Sequence, residues 1–469
     1  MKITAKEAAR LCGGTILCGD PAAEIASVAT DSRAVKPGAL FVPLVGEKTD
    51  AHRFLGTAFA AGASAALTQE AAAPTAPGVL IAVDNTLTAL QKLAAAWRAR
   101  FPGPVVGITG SVGKTTTKEM TALALSAGLN VMRTEGNQNS QVGLPLTMFR
   151  LAPDYDAAVI EMGMSEFGEM SRLAAIAAPG YAVMTNIGLS HIGNLGSQQN
   201  IRSEKLHITD RFREDSVLFL NGDDPLLAEL RGTLPFRTVF YGTRPWCDFR
   251  AEEVHAGAEA SDFRYVSPDG ETGKLHLPVP GVHCVLDALA GLAAAKQLGV
   301  PLSKAAAALA RYRSPAMRMQ IRRAGTLTVI DDSYNSSPDA AKSSLGVLCG
   351  FHGGRRVAVL ADMLELGKFS RQGHFGVGEY AAKAGVDLLV TVGTEAKAIA
   401  EGAVSVRPGL EYYCCASNTE AAETLGKILH RGDTVLVKGS RGMKTDEIVA
   451  ALLARSAVEI SEKESSAKQ

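Results

Sequence analysis

Two textures alternate along this chain. Short runs that are apolar at every position, Val105-Val106-Gly107-Ile108, Ala157-Ala158-Val159-Ile160, Ala182-Val183-Met184 and Val217-Leu218-Phe219-Leu220, are separated by stretches of helical character. Continuous rather than alternating apolarity predicts strands covered on both faces, hence a parallel sheet flanked by helices. A second series follows, with Leu327-Thr328-Val329-Ile330, Val357-Ala358-Val359-Leu360, Leu388-Leu389-Val390-Thr391-Val392 and Thr434-Val435-Leu436-Val437. It predicts a Rossmann-like layer without a G-x-G-x-x-G turn, so no dinucleotide is assigned to it. Thr419 to His430 reads as one of its helices, with Asn418 as N-cap. Ahead of both series, Leu40-Phe41-Val42-Pro43-Leu44 is strand-like and Phe54 to Ala63 helix-like, and Phe101-Pro102-Gly103-Pro104 predicts a linker. The expected architecture is α/β in three domains: a small α/β domain over 1–100, a central parallel-sheet domain over 101–312 and a C-terminal Rossmann-like domain over 313–456. A polar tail over 457–469 completes the chain.

Bulk composition changes this picture little. A chain of 469 residues outgrows one core, in keeping with about two or three domains. Apolar residues make up 46% and charged residues 20%, an ordinary globular balance. The 48 basic residues equal the 48 acidic ones, so net charge points to neither nucleic acid nor a charged membrane as partner. Seven cysteines without a C-x-x-C pair argue against a disulfide framework and for a reducing compartment. No apolar run approaches the ~18 residues that span a bilayer, and the start is not a secretory signal. A cytoplasmic protein is expected.

The chemistry concentrates in Gly107-Ile108-Thr109-Gly110-Ser111-Val112-Gly113-Lys114-Thr115. It lies between an apolar strand and a predicted helix, Thr115 to Ala127, whose Met120, Leu123, Ala124 and Ala127 share a face and whose stop is Gly128. Strand, glycine-rich turn and helix form a phosphate loop. Glycines let backbone amides converge on phosphate oxygens, and the helix N-terminus adds partial positive charge. Lys114 suits the β- and γ-phosphates and the Thr115 hydroxyl suits magnesium. The usual spacing fails, because Ile108 stands where the first glycine belongs. Motor, kinase and acid-activating readings therefore all stay open at this point.

Acids and a histidine follow at other strand ends, where open parallel sheets place ligands. Glu161 closes Val159-Ile160-Glu161, and His191 follows Met184-Thr185-Asn186-Ile187-Gly188. Alone, Glu161 reads as a solvated terminus as often as a ligand, His191 more often as a structural histidine than a ligand, and Lys205 as a charge on a helix face. Thr30-Asp31-Ser32-Arg33 alone reads as a polar turn.

Taken together these segments resemble the Mur ligases, which build the peptide stem of the bacterial cell wall. Thr109-Gly110-Ser111-Val112-Gly113-Lys114-Thr115 is similar to the family's atypical loop, and Asp31-Ser32-Arg33 with Lys36-Pro37-Gly38 to its uridine-nucleotide domain. Glu135-Gly136-Asn137-Gln138-Asn139-Ser140, the His191 region and Glu204-Lys205 match further segments in order. Asp331-Asp332-Ser333-Tyr334-Asn335-Ser336-Ser337-Pro338, Asp362-Met363-Leu364-Glu365-Leu366-Gly367 and Lys438-Gly439-Ser440-Arg441 are similar to the branch that adds D-alanyl-D-alanine. The resemblance runs from about residue 25 to about residue 450. It departs at Gly281-Val282-His283-Cys284-Val285-Leu286-Asp287, where cysteine and aspartate replace asparagines near the adenine, and at Ser337.

The resemblance implies an ATP-dependent amide ligase that joins D-alanyl-D-alanine to UDP-N-acetylmuramoyl-tripeptide through an acyl phosphate. It implies ATP contacts from Thr109, Gly110, Ser111, Val112, Gly113, Lys114, Thr115, Thr116, His283, Arg318, Asp332 and Asn335. It assigns catalysis to Lys114, Glu161, His191 and Lys205, and substrate to Asp31, Ser32, Arg33, Asn137, Asn139, Lys438 and Arg441. Two Mg2+ ions are expected on Thr115, Glu161, His191 and a carbamylated Lys205, in a monomer that binds small molecules and neither nucleic acid nor membrane. The rivals are a diamino-acid-adding relative, a folylpolyglutamate-synthase-like ligase and a phosphate-loop ATPase that makes no covalent product.

Overall fold

The computed structural model describes residues 2–46, 49–70 and 77–454. The tail expected over 457–469 lies outside the described residues. Three main sheets organise the chain. The largest has nine strands in the order Thr272–Leu277, Ser261–Val266, Phe249–Ala256, Arg237–Gly242, Val217–Asn221, Tyr181–Met184, Val105–Thr109, Ala157–Glu161, Val131–Arg133. It is parallel from Val131–Arg133 as far as Phe249–Ala256 and ends in two antiparallel strands. The four expected central strands are present and buried throughout or nearly so.

The antiparallel extension over Phe249–Leu277 was not anticipated. Its strands alternate buried and exposed positions, as in Ser261–Val266, because only one face is covered. That covering element is the long helix Val282–Gln297, apolar nearly all round because it packs both on these strands and on the helix Lys114–Leu125.

The carboxyl-terminal sheet has six strands ordered Gln320–Ala324, Leu327–Asp331, Thr434–Lys438, Arg356–Ala361, Leu388–Val392, Glu411–Cys415, all parallel except the first pair. The amino-terminal sheet has five, ordered Thr15–Cys18, Val79–Ala82, Ala65–Thr68, Ala39–Phe41, Ser27–Ala29. Three mixed α/β sheets thus match the expected fold class.

Several local expectations need correction. The strand expected over 40–44 is Ala39–Phe41, and the helix expected over 54–63 divides into a 3-10 turn, Ala51–Phe54, and the helix Leu55–Ala60. The helix after the phosphate loop runs from Lys114 to Leu125, so Gly128 lies beyond its end. Of the face expected there, Met120 and Ala124 are buried while Leu123 and Ala127 are only partly so, because helices and sheet enclose several sides. Ser417, not Asn418, caps the helix Asn418–Ile428: its hydroxyl accepts from the Glu420 amide at 3.2 Å. The Asn418 amide instead reaches the carbonyls of Met443 and Lys444. Phe101 is buried and its ring lies against Gly103, so the expected linker is a packed segment.

The helix Lys114–Leu125 buries a lysine. Lys118 donates to the Thr134 carbonyl at 2.8 Å and pairs with Glu119 at 2.7 Å, which ties the start of the asparagine-rich segment to the helix. Replacing Lys118 with Met leaves a buried carbonyl unpaired. Lys118→Met should lower unfolding free energy by about 2 kcal/mol, read from urea titration with an unchanged denaturant slope.

Candidate functional site

The phosphate loop leaves the end of Val105–Thr109, between the neighbouring strands Ala157–Glu161 and Tyr181–Met184. Chain order reverses there, which opens a crevice at the carboxyl ends of the strands. Gly110 has φ of 144° and a Cβ there would fall 1.8 Å from Thr185 Oγ1, so no side chain fits. Gly113 has φ of 86°, a left-handed conformation that turns the chain into the helix.

The next strand end clamps the loop. The Asn186 side chain accepts from the Val112 amide at 2.9 Å and donates to the Val112 carbonyl at 3.0 Å, while Thr185 Oγ1 donates to that carbonyl at 2.5 Å. The Ser111 amide reaches the Asn186 carbonyl. Neither Asn186 nor Thr185 has a role legible in the sequence alone. What marks them is their place at the end of an apolar strand beside the loop.

Glu161 is 2% exposed. Its Oε1 accepts from Asn139 at 2.7 Å and from the Thr115 hydroxyl at 3.2 Å, whereas its Oε2 is buried without a hydrogen-bond partner. An unpartnered buried carboxylate oxygen beside a threonine hydroxyl suits a hard cation such as Mg2+. His191, with φ of 63°, places Nδ1 2.8 Å from Glu365 of the carboxyl-terminal domain, though out of line for a hydrogen bond. The Glu365 carboxyl is held below its ordinary range by this imidazole.

Two lysines meet at the loop. Lys114 donates to the carbonyls of Gly110 at 2.8 Å and Ser111 at 3.3 Å. Lys205, 1% exposed, donates to the same Gly110 carbonyl at 3.0 Å. Burial lowers the proton affinity of both, well below the ordinary value for Lys205, where the Lys114 charge adds to the effect. The adjacent Glu204 serves structure, accepting from the Gly168 and Met170 amides.

Across the crevice stands the carboxyl-terminal domain. A cleft of about 500 Å3 is lined on one side by the loop from Ser111 to Thr116, Asn137, Asn139, Glu161 and His191, and on the other by Arg318, Asp332, Asn335, Lys438 and Arg441. Thr109, Gly110 and Lys205 do not line this cleft. Thr109 Oγ1 and Ser111 Oγ are buried without partners. Lys438 is 3% exposed and its ammonium is taken by Asp332 at 2.5 Å and the Asn335 carbonyl at 3.0 Å. Asp331, Ser333 and Ser337 support this run: Ser333 donates to Asp331 at 2.6 Å, and Ser337 caps the helix Pro338–Cys349.

His283, Cys284 and Asp287 line the cleft beneath the loop. Burial lowers the proton affinity of His283 and raises that of Cys284. Asp31, Ser32 and Arg33 stand apart, outside the cleft. Arg33 is exposed and folds its guanidinium onto Asp31 at 2.7 Å, which holds that carboxyl down to about 2. In this conformation Ser32–Ala34 form a 3-10 turn capped by Asp31.

A phosphate loop at a sheet reversal, faced by cations from a second parallel-sheet domain, defines a nucleotide-dependent group-transfer enzyme that works between domains. Family models bear on the class directly: the Mur ligase middle domain matches residues 108–295, the Mur ligase glutamate ligase domain 317–441 and the Mur ligase catalytic domain 24–98. The chain belongs to the Mur ligase family. It is 36% identical over 97% of its length to the UDP-N-acetylmuramoyl-tripeptide–D-alanyl-D-alanine ligase of Bacillus subtilis, covering 99% of that protein. Its fold matches a MurF crystal structure from Acinetobacter baumannii with TM-score 0.90 and 29% identity, over 97% of this chain and 99% of that one. A MurF ligase from Thermotoga maritima in complex with ADP matches with TM-score 0.81 and 26% identity, over 92% and 98% of the two chains.

Asp287 accepts from Thr117 Oγ1 at 2.6 Å and lies against Gly113. Burial pushes its carboxyl up to about 7. Between the ordinary 3.8 and about 7 the folded chain therefore holds a proton that the unfolded chain has released. Stability from this group is full below that window and is lost as pH rises through it. Urea titrations from pH 4.5 to 8 should show Asp287→Asn gaining on the parent by a few kcal/mol up to about pH 7, then running parallel.

Proposed function

We propose that this chain joins D-alanyl-D-alanine to UDP-N-acetylmuramoyl-tripeptide at the expense of ATP, as an acid–D-amino-acid ligase of peptidoglycan precursor synthesis. The observation that carries the reading is the convergence of the Lys114 loop, Glu161 and the Asp331–Pro338 run on one cleft between two domains, in a chain that matches relatives of that activity over nearly its whole length. We divide the chain as 1–100 for the uridine nucleotide, with Asp31, Ser32 and Arg33 on its diphosphate, 101–312 for ATP and 313–456 for the incoming dipeptide. No described helix is long and apolar enough to cross a membrane.

The chemistry explains the residue types. A carboxylate does not accept an amine in water because oxide is a poor leaving group. Transfer of the γ-phosphoryl group makes an acyl phosphate. Attack by the free amine of the dipeptide gives a tetrahedral intermediate that expels phosphate. ATP and a carboxylate repel each other, so fixed cations must surround the transferring group. Lys114 exchanges the Gly110 and Ser111 carbonyls for phosphate oxygens, backed by loop amides and the helix N-terminus. Arg318 approaches the γ-phosphate from the other domain, with Asp332, Asn335 and His283 around the nucleoside. Asn137, Asn139 and Arg441 face the acceptor side. Lys438 acts through Asp332, which its ammonium already holds.

Thr115, Glu161 and His191 would hold Mg2+, with Lys205 as its carbamate; bound there, the metal neutralises charge on the transferring oxygens. The buried, poorly basic amine of Lys205 favours that modification, because only a neutral amine captures carbon dioxide. Closure of the domains keeps water from the acyl phosphate.

Phosphate release should require UDP-N-acetylmuramoyl-tripeptide and D-alanyl-D-alanine together, tested with lysine- and diaminopimelate-containing tripeptides. Release indifferent to both substrates would sink the ligase reading in favour of a plain ATPase. Lys205→Ala should lose at least about 100-fold in rate and regain part of it with added short-chain carboxylates. A variant that no carboxylate rescues speaks against the carbamate.

A further inference from the structure

Arg318 has no ion pair and no side-chain hydrogen bond among the described residues, although it lines the cleft beside Lys114. A guanidinium with five donors and no acceptor would ordinarily swing toward water. Here its Cζ sits 4.0 Å from the centroid of the Tyr334 ring. Arg441 approaches the same ring at 5.7 Å and touches Met317 Sδ at 3.6 Å. An aromatic face attracts a cation through its quadrupole, and more strongly where water is partly excluded.

The backbone around Arg318 is fixed by the same run. The Tyr334 amide donates to the Met317 carbonyl at 3.1 Å, and the Met319 amide donates to Asp332 Oδ1 at 3.1 Å. Met317 and Met319 both adopt left-handed backbone, with φ of 61° and 47°, which non-glycine residues hold only where their surroundings impose it. Arg318 is thus carried on a short segment pinned on either side to Asp332 and Tyr334, and its side chain rests on the aromatic face.

We infer that Tyr334 is a positioning residue: its ring holds the Arg318 guanidinium aimed into the cleft before the nucleotide arrives, so that the arginine meets the transferring phosphoryl group without first being ordered. The inference rests on the reading of Arg318 as a γ-phosphate contact. Tyr334 itself touches no reacting atom. Its contribution is preorganisation, which lowers the ordering cost of an interaction rather than adding one. The ring face carries this role, so the hydroxyl is dispensable.

The test is a double-mutant cycle on the full chain, read as kcat and KM for ATP with both other substrates saturating, alongside thermal midpoints. Tyr334→Leu should reduce kcat/KM for ATP roughly five- to thirtyfold, and Tyr334→Phe should recover it to within about twofold. In an Arg318→Met background Tyr334→Leu should cost nothing further. Equal losses in both backgrounds, or a Phe variant as poor as Leu, overturn the inference while leaving the Arg318 reading intact. An Arg318→Met enzyme as fast as the parent overturns that reading and the inference with it. Should Tyr334→Leu fail to fold, phenylalanines of rising fluorine content at 334 keep the shape and drain charge from the ring face. A rate that falls with each fluorine supports the brace, and a flat series refutes it.

Discussion

The carbonyl of Gly110 accepts from Lys114 at 2.8 Å and from Lys205 at 3.0 Å, and the site is built around that one oxygen. It can do so only because residue 110 has no side chain. Any Cβ would enter Thr185, and the loop would have to lift away from the adjacent strand end. The loop's path, the burial of both lysines and the lowered proton affinity of their amines thus follow from one close approach. The Lys114 ammonium, held only by neutral carbonyls and beside the poorly basic amine of Lys205, is under-compensated. The site stores the attraction that an incoming polyphosphate can satisfy.

The acidic side obeys the same logic in reverse. Glu161 is fixed through one oxygen by Asn139 and Thr115, with the other left without a partner. Asp287, beneath the loop and bonded by Thr117, holds its proton up to about 7, so it does not oppose a polyphosphate with a second negative charge in acid or near-neutral solution. Across the cleft, Asp332 is neutralised by Lys438 and fixed by the Ser344 hydroxyl at 2.7 Å. Charges that must meet the nucleotide are left open, and charges that would repel it are paired or protonated.

How much of this could be read from sequence depended on whether the signal was local. The buried parallel strands were legible because every position is apolar, and the phosphate loop because glycines and a lysine cluster between strand and helix. The strands Phe249–Leu277 were missed because a half-covered antiparallel strand alternates with polar residues and resembles loop. The helix start at Ser417 was displaced by one residue because serine and asparagine cap equally well, and the choice fell to a tertiary demand on Asn418 from 443 and 444. Lys438 was expected to face substrate. Its ion pair with Asp332 spans 106 residues and leaves no mark in either segment alone. Thr185 and Asn186 hold the loop across more than 70 residues and were likewise invisible as partners.

Those long-range partners also connect the domains. Within six residues the segment after Tyr181–Met184 carries Asn186, which clamps the loop at Val112, Leu189, whose amide donates to Asp339 at 2.9 Å, and His191, beside Glu365. Asp339 and Glu365 both belong to the carboxyl-terminal domain. Gly188 has no room for a side chain, since a Cβ would lie 2.3 Å from Asp339 Oδ2, and a Cβ on Gly193 would lie 2.9 Å from the Glu365 carbonyl. The segment that fixes the phosphate loop is therefore also the one on which the opposite domain sits. A displacement of that domain acts on the backbone holding Val112 and, through Gly110, on both lysines. Position of the domain and geometry of the loop are set by one short stretch of chain, which is why a site split between two sheets can act as one.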